Sequence, residues 1–102
     1  MKIYWTETAK STYAEELDFI YRKWGNKEVE NFINLSEEFL KTLKTGVLEG
    51  KPVKGKEFRI SVISKQTSLV YKLNKKNKVI SLITFFNNKM NPKTLKKLLN
   101  KK

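Results

Sequence analysis

Three stretches, Phe58-Arg59-Ile60-Ser61-Val62-Ile63, Leu69-Val70-Tyr71-Lys72-Leu73 and Val79-Ile80-Ser81-Leu82-Ile83-Thr84-Phe85-Phe86, follow one another with short polar breaks, and their reading decides the fold. The first alternates, so Phe58, Ile60 and Val62 share one side, taken as the inward one; in the second, Leu69, Tyr71 and Leu73 turn inward by the same rule. The breaks Ser64-Lys65-Gln66-Thr67 and Asn74-Lys75-Lys76-Asn77 have turn composition, which joins the strands into an antiparallel meander. The third stretch is apolar at both parities and is expected to be covered on both faces. On the other side of the first two strands stand Arg59, Ser61, Ser68, Val70 and Lys72, which predicts an open face that is polar and basic.

Upstream, Lys2-Ile3-Tyr4-Trp5-Thr6 alternates with Ile3 and Trp5 on one side, a short first strand. From Thr8 the period changes to that of a helix, with Ala9, Tyr13, Leu17, Ile20 and Trp24 along one stripe and a stop at Gly25. A second helix is expected to start at an Asn26 N-cap, to carry Val29, Phe32, Ile33, Phe39, Leu40 and Leu43 on one stripe, and to end at Gly46. Residues 46–57 hold three glycines and Pro52 among lysines and read as a loop. Downstream, Asn91-Pro92 opens a short basic helix with Leu95, Leu98 and Leu99 on one side. The resulting plan is α+β, β-α-α-β-β-β-α: a small twisted antiparallel meander sheet, two N-terminal helices packed on one face and a short C-terminal helix, in one domain spanning 1–102.

The chain has 102 residues, and its 22 Lys and Arg against 10 Asp and Glu give a net charge of +12. Its 39% hydrophobic content exceeds that of a disordered basic tail, so a folded domain is expected. There is no Cys and no His, which excludes thiol and imidazole catalysis, disulfides and the usual zinc sites. No cofactor and no metal are expected, and with no stretch of about 18 apolar residues the chain reads as soluble, cytoplasmic and free of membrane contact. The charge is lopsided: residues 1–50 carry 7 Lys/Arg and 9 Asp/Glu, a net of −2, while residues 51–102 carry 15 Lys/Arg and only Glu57, a net of +14. So one-sided a block repels itself in the free protein, and an anionic partner such as nucleic acid accounts for it.

Several pieces taken in order resemble a known family. Trp5, Thr6 and Ala9, the two helices, the Pro/Gly/Lys-rich loop closing on Phe58-Arg59, Leu69-Val70-Tyr71-Lys72-Leu73, and Phe85-Phe86-Asn87-Asn88-Lys89-Met90-Asn91-Pro92 together look like the RelE/ParE toxins of bacterial type II toxin–antitoxin, or plasmid stabilisation, systems. The resemblance implies a growth-arresting toxin held in a hetero-oligomer by an antitoxin protein. It leaves two targets open: RelE-like members cut mRNA on the ribosome, whereas ParE-like members inhibit DNA gyrase without nuclease activity. A basic nucleic-acid-binding module without toxicity is the alternative from another class.

An endoribonuclease needs a base for the 2′-hydroxyl, charge stabilisation at phosphorus and an acid for the leaving oxygen. By the resemblance, Arg59 and Lys89 are the catalytic candidates; the cations of the basic half add Lys56, Lys65 and Lys72 to Arg59 and Lys89 as phosphate or nucleic-acid contacts. The implied pattern is incomplete. Ser61 and Ser68 stand where mRNA-cleaving members carry basic residues, Lys89 cannot form a bidentate phosphate clamp, and the terminal helix has no Tyr. Tyr71, Trp5, Trp24, Phe85 and Phe86 are expected in the core. The pairs Glu15/Glu16 and Glu37/Glu38 are expected on solvated helix faces, because adjacent helical residues point about a hundred degrees apart.

Overall fold

A computed structural model describes residues 1–46, 51–52, 57–74 and 76–88. The elements are β1 (Lys2–Trp5), α1 (Glu7–Trp24), α2 (Asn26–Lys44), β2 (Lys51–Pro52), β3 (Phe58–Val62), β4 (Thr67–Asn74) and β5 (Val79–Asn87). The helix expected from Asn91, together with Lys56 and Lys89, lies outside the described residues. No helix among the described residues is long and apolar enough to cross a membrane.

The five strands lie in the order β1-β5-β4-β3-β2. The expected meander β3-β4-β5 is antiparallel throughout, but the sheet as a whole is mixed, because β1 runs parallel to β5 with Ile3 opposite Ile80 and Trp5 opposite Leu82. Strand β5 is thus interior and buried on both faces, as its double-sided apolar pattern predicts. One correction falls in the segment read purely as loop: Lys51 and Pro52 pair with Ile60 and Arg59. Proline is tolerated there because β2 is an edge strand, where one N–H is not required for the ladder.

Thr6 begins α1 as its N-cap, its hydroxyl accepting from Ala9 N at 3.1 Å and donating to Leu82 O at 2.7 Å. One side chain thereby joins the β1–α1 corner to β5. Gly25, at φ 91°, is the sole residue between the helices, a left-handed conformation that a side chain would strain; its N–H closes the end of α1 on Tyr21 O at 2.9 Å. Gly25 also occupies the N-cap position of α2, so Asn26 is the first helical residue rather than the cap.

Both helices pack on the same sheet face. Ala9 and Ile20 from α1, Phe32, Phe39 and Leu43 from α2, and Leu69, Tyr71, Ile80, Leu82 and Phe85 from the sheet form one buried cluster, with Tyr71 wholly buried as expected. Rings lock it: Tyr13 meets Trp5 edge-on at 5.2 Å and Phe85 at 4.9 Å, and Phe39 meets Tyr71 at 6.1 Å. Each fully buried aliphatic or aromatic side chain contributes about 1.5–3 kcal/mol. Trp24, expected here, is instead exposed at the end of α1, where Lys23 Nζ lies 5.0 Å from the centre of its ring.

The second correction concerns which way β3 faces. Its register sets Phe58 opposite Lys72, Ile60 opposite Val70, and Arg59 opposite Tyr71. Directly opposed residues share a face. Phe58, Ile60 and Val62 therefore point away from the helices, and Arg59 and Ser61 point toward the helix side. Phe58 and Ile60 join Val70, Ile83 and Phe86 in a second apolar cluster on the far face. A bulge between Val70 and Tyr71 inserts Ile83 into that far face.

Candidate nucleic-acid interface

Among the described residues, the positive side chains singled out from the sequence, Arg59, Lys65 and Lys72, do not converge. Lys72 lies on the face away from the helices, its ammonium 3.3 Å from the Glu57 carboxylate and 6.0 Å from the Phe58 ring centre. Arg59, one position on from Phe58, projects to the opposite side of the same sheet and has a partner of its own. Lys65 is exposed on the β3–β4 turn. A phosphorane held by Arg59 and Lys72 together would have to reach through the sheet.

The β3–β4 turn is held by several hydrogen bonds. Ile63 N and Ser64 N both donate to Thr67 O, and Thr67 N donates to Ser64 Oγ. Asn88, just past β5, closes over it: its N–H donates to Gln66 O at 2.7 Å, and its side-chain amide donates to Ser64 O and Lys65 O. Ser68 Oγ donates to Asn88 Oδ1. The turn is further tied to α1 by Thr67 Oγ1, which donates to Glu16 Oε2. Glu16 is buried, contrary to the solvated position expected for it. Loss of water raises its pKa, the Thr67 hydrogen bond works in the opposite sense, and the Glu15 charge adds a smaller upward push. Its position was legible, since Ala9, Tyr13, Glu16 and Ile20 follow the four-three-four spacing of the buried stripe.

The far face is not the open, polar one expected, since Val70 and Ser68 are buried there, and a different set of groups gathers at its β1 edge. With Ile3 and Trp5 packed on the helix-side core, Lys2 and Tyr4 project the other way. The registers put Tyr4 beside Ser81, Ser81 beside Lys72, and Lys2 beside Val79. Lys2 N donates to Lys78 O at 3.2 Å, which sets the backbones of these two exposed lysines side by side at the β4–β5 turn. Lys78 has φ 54°, and within the same turn Asn77 N donates to Asn74 Oδ1 at 3.1 Å. Tyr4 is 58% exposed, which is high for an aromatic ring in a paired strand. Lys2 and Tyr4 stand outside the basic half of the sequence, and the alternation in Lys2–Trp5 assigns them to the face opposite Ile3 and Trp5.

No protein-family model matches the chain, and none of the curated proteins matches it. Solved structures do. The chromosomal ParDE toxin–antitoxin system from P. aeruginosa is similar over 85% of this chain and 95% of that one, with a TM-score of 0.69 at 17% identity. The YoeB/ParE toxin from Agrobacterium tumefaciens gives a TM-score of 0.60 at 15% identity over 86% of this chain and 99% of that one. The RelBE2 toxin–antitoxin complex from Mycobacterium tuberculosis gives 0.55 at 12% identity, over 85% and 96% of the two chains. The chain has the fold of the RelE/ParE toxins.

Proposed function

We propose that this chain is the toxin of a toxin–antitoxin pair, arresting growth unless a cognate antitoxin covers it. The observation that carries this reading is extent: the similarity runs over 95% of a chain from a toxin–antitoxin system and 99% of a toxin chain, so this chain has a counterpart for nearly all of each. The net charge of +14 in residues 51–102 supports an acidic or nucleic-acid partner for the sheet half.

Within that reading, translation is the favoured target, with ribosome-bound message as the anionic partner, and engagement of the target by binding is favoured over cleavage. Cleavage requires cations converging on one phosphate. Among the described residues Arg59 and Lys72 lie on opposite faces, and each is already engaged. Gyrase inhibition is the competing reading.

Tightly controlled expression in bacteria tests the proposal. Induction is expected to stop growth and lower amino-acid incorporation without cutting message, and co-expression of the product of the adjacent gene to restore growth. Unimpaired growth on induction would overturn the toxin reading. Arrest with a supercoiling defect and normal incorporation would move the target to gyrase, while message cuts that vanish in Arg59→Ala would establish a nuclease.

A further inference from the structure

The corner at the β1 edge of the far face, built by Lys2, Tyr4 and Lys78, lies outside the residues that the family resemblance assigns to chemistry, and it combines three properties. It presents a flat aromatic ring, 58% exposed, on the surface of a sheet. Cations lie near the ring: Lys2 two residues away on the same side of β1, Lys78 beyond it and hydrogen-bonded through its backbone to Lys2, and Lys72, paired with Glu57, two strands over at about 10 Å by the usual strand spacing. Finally, the backbone at Lys78 is left-handed, where a residue other than Gly or Asn is disfavoured, so a charged side chain is kept at a conformational cost.

We propose that this corner binds single-stranded nucleic acid, one base stacking on Tyr4 while Lys2 and Lys78, together at one end of the ring, hold the adjoining phosphate. An exposed tyrosine with two lysines at one end suits bases, which all offer a π face, and phosphates, which need only point charges. Ser81, next to Tyr4 in the sheet, is small and leaves room for a base to lie flat over that row. A duplex is excluded from stacking because its bases are already paired and covered. The inference rests on the reading of message as the target for its biological meaning, but the binding itself is a property of the purified chain.

The test is fluorescence anisotropy with the full chain and a labelled oligouridine, an oligothymidine and a duplex of the same length, at several salt concentrations. The expected result is preference for both single strands over the duplex, with affinity falling as salt rises. Tyr4→Ala should weaken single-strand binding by about tenfold, with the salt slope unchanged, and Tyr4→Phe should retain it, since stacking is worth roughly 1–3 kcal/mol per base. Lys2→Gln and Lys78→Asn, the latter compatible with a left-handed backbone, should each reduce the slope by about 0.7. Equal binding of duplex and single strand, or a Tyr4→Ala protein that binds like the parent, overturns the site. Growth arrest without single-strand binding sinks this inference and leaves the toxin reading intact; the converse result sinks the toxin reading alone.

Discussion

Thr67 Oγ1 donates a 2.6 Å hydrogen bond to Glu16 Oε2, fastening the first residue of β4 to the middle of α1 across 51 residues of sequence. A carboxylate in that position is anchored but poorly solvated, and the two effects oppose each other.

Stability should therefore depend on the protonation of Glu16. Its pKa is raised in the folded protein above its ordinary value of about 4.3. The folded state then holds a proton that the unfolded state has released, so this group's contribution is full below about pH 4 and declines as pH rises through the folded value. Glu16→Gln keeps an acceptor for Thr67 and removes the titration; urea unfolding across that range should show a flatter pH profile for the variant.

Removing the other partner should cost more. Thr67→Val preserves shape and leaves the buried carboxylate without its donor, an expected loss of roughly 1–3 kcal/mol at neutral pH. The double variant with Glu16→Gln should not be additive, because the two side chains share one interaction.

At the β1–α1 corner, Thr6→Ala deletes the cap to Ala9 N and the bond to Leu82 O together. About 1–2 kcal/mol should be lost, read as a lower midpoint in chemical denaturation with an unchanged slope.

The β4–β5 turn should respond in the opposite direction. Lys78→Gly relieves a left-handed lysine and is expected to stabilise the fold by about 1 kcal/mol. The same change should weaken oligonucleotide binding, a stability gain coupled to a functional loss.

The orientation of β3 gives a further contrast. Val62 is 66% exposed, so Val62→Lys should leave stability within about 0.5 kcal/mol, whereas Leu69→Ala, in the helix-side core, should cost about 2–5 kcal/mol. Had Val62 faced the helices, both changes would be severe.

That contrast also marks how far the sequence could be read. Helix stripes were legible because the polar residues opposite them name the solvent side, and the ends at Gly25 and Gly46 follow from their positive φ. In β3, alternation identifies Phe58, Ile60 and Val62 as companions but does not say which face of the sheet they occupy. The sheet carries apolar clusters on both faces, so the choice is made by the register with β4. Parallel pairing of β1 was invisible for a related reason: four residues record no partner, and the partner lies far along the chain. Glu16 departs from the expected solvated position because its place on the α1 stripe, and not its charge, decides its burial. Arg59 and Lys72, thirteen residues apart, carry no sequence signal that separates the two faces, which only the pairing of Arg59 with Tyr71 and of Phe58 with Lys72 resolves.

The pairing of Lys2 with Val79 also imposes a timetable. At a synthesis rate of roughly 5–20 residues per second, the N-terminal strand waits about 4–15 s for its partner to be made. Until then the groups β1 will bond to do not exist, and the α1 and α2 stripes lack the strand they enclose it with. A chain built this way cannot close its sheet for most of its own translation, so every surface that needs β1 and β5 together, the Lys2–Tyr4 corner included, is absent for the whole of that interval.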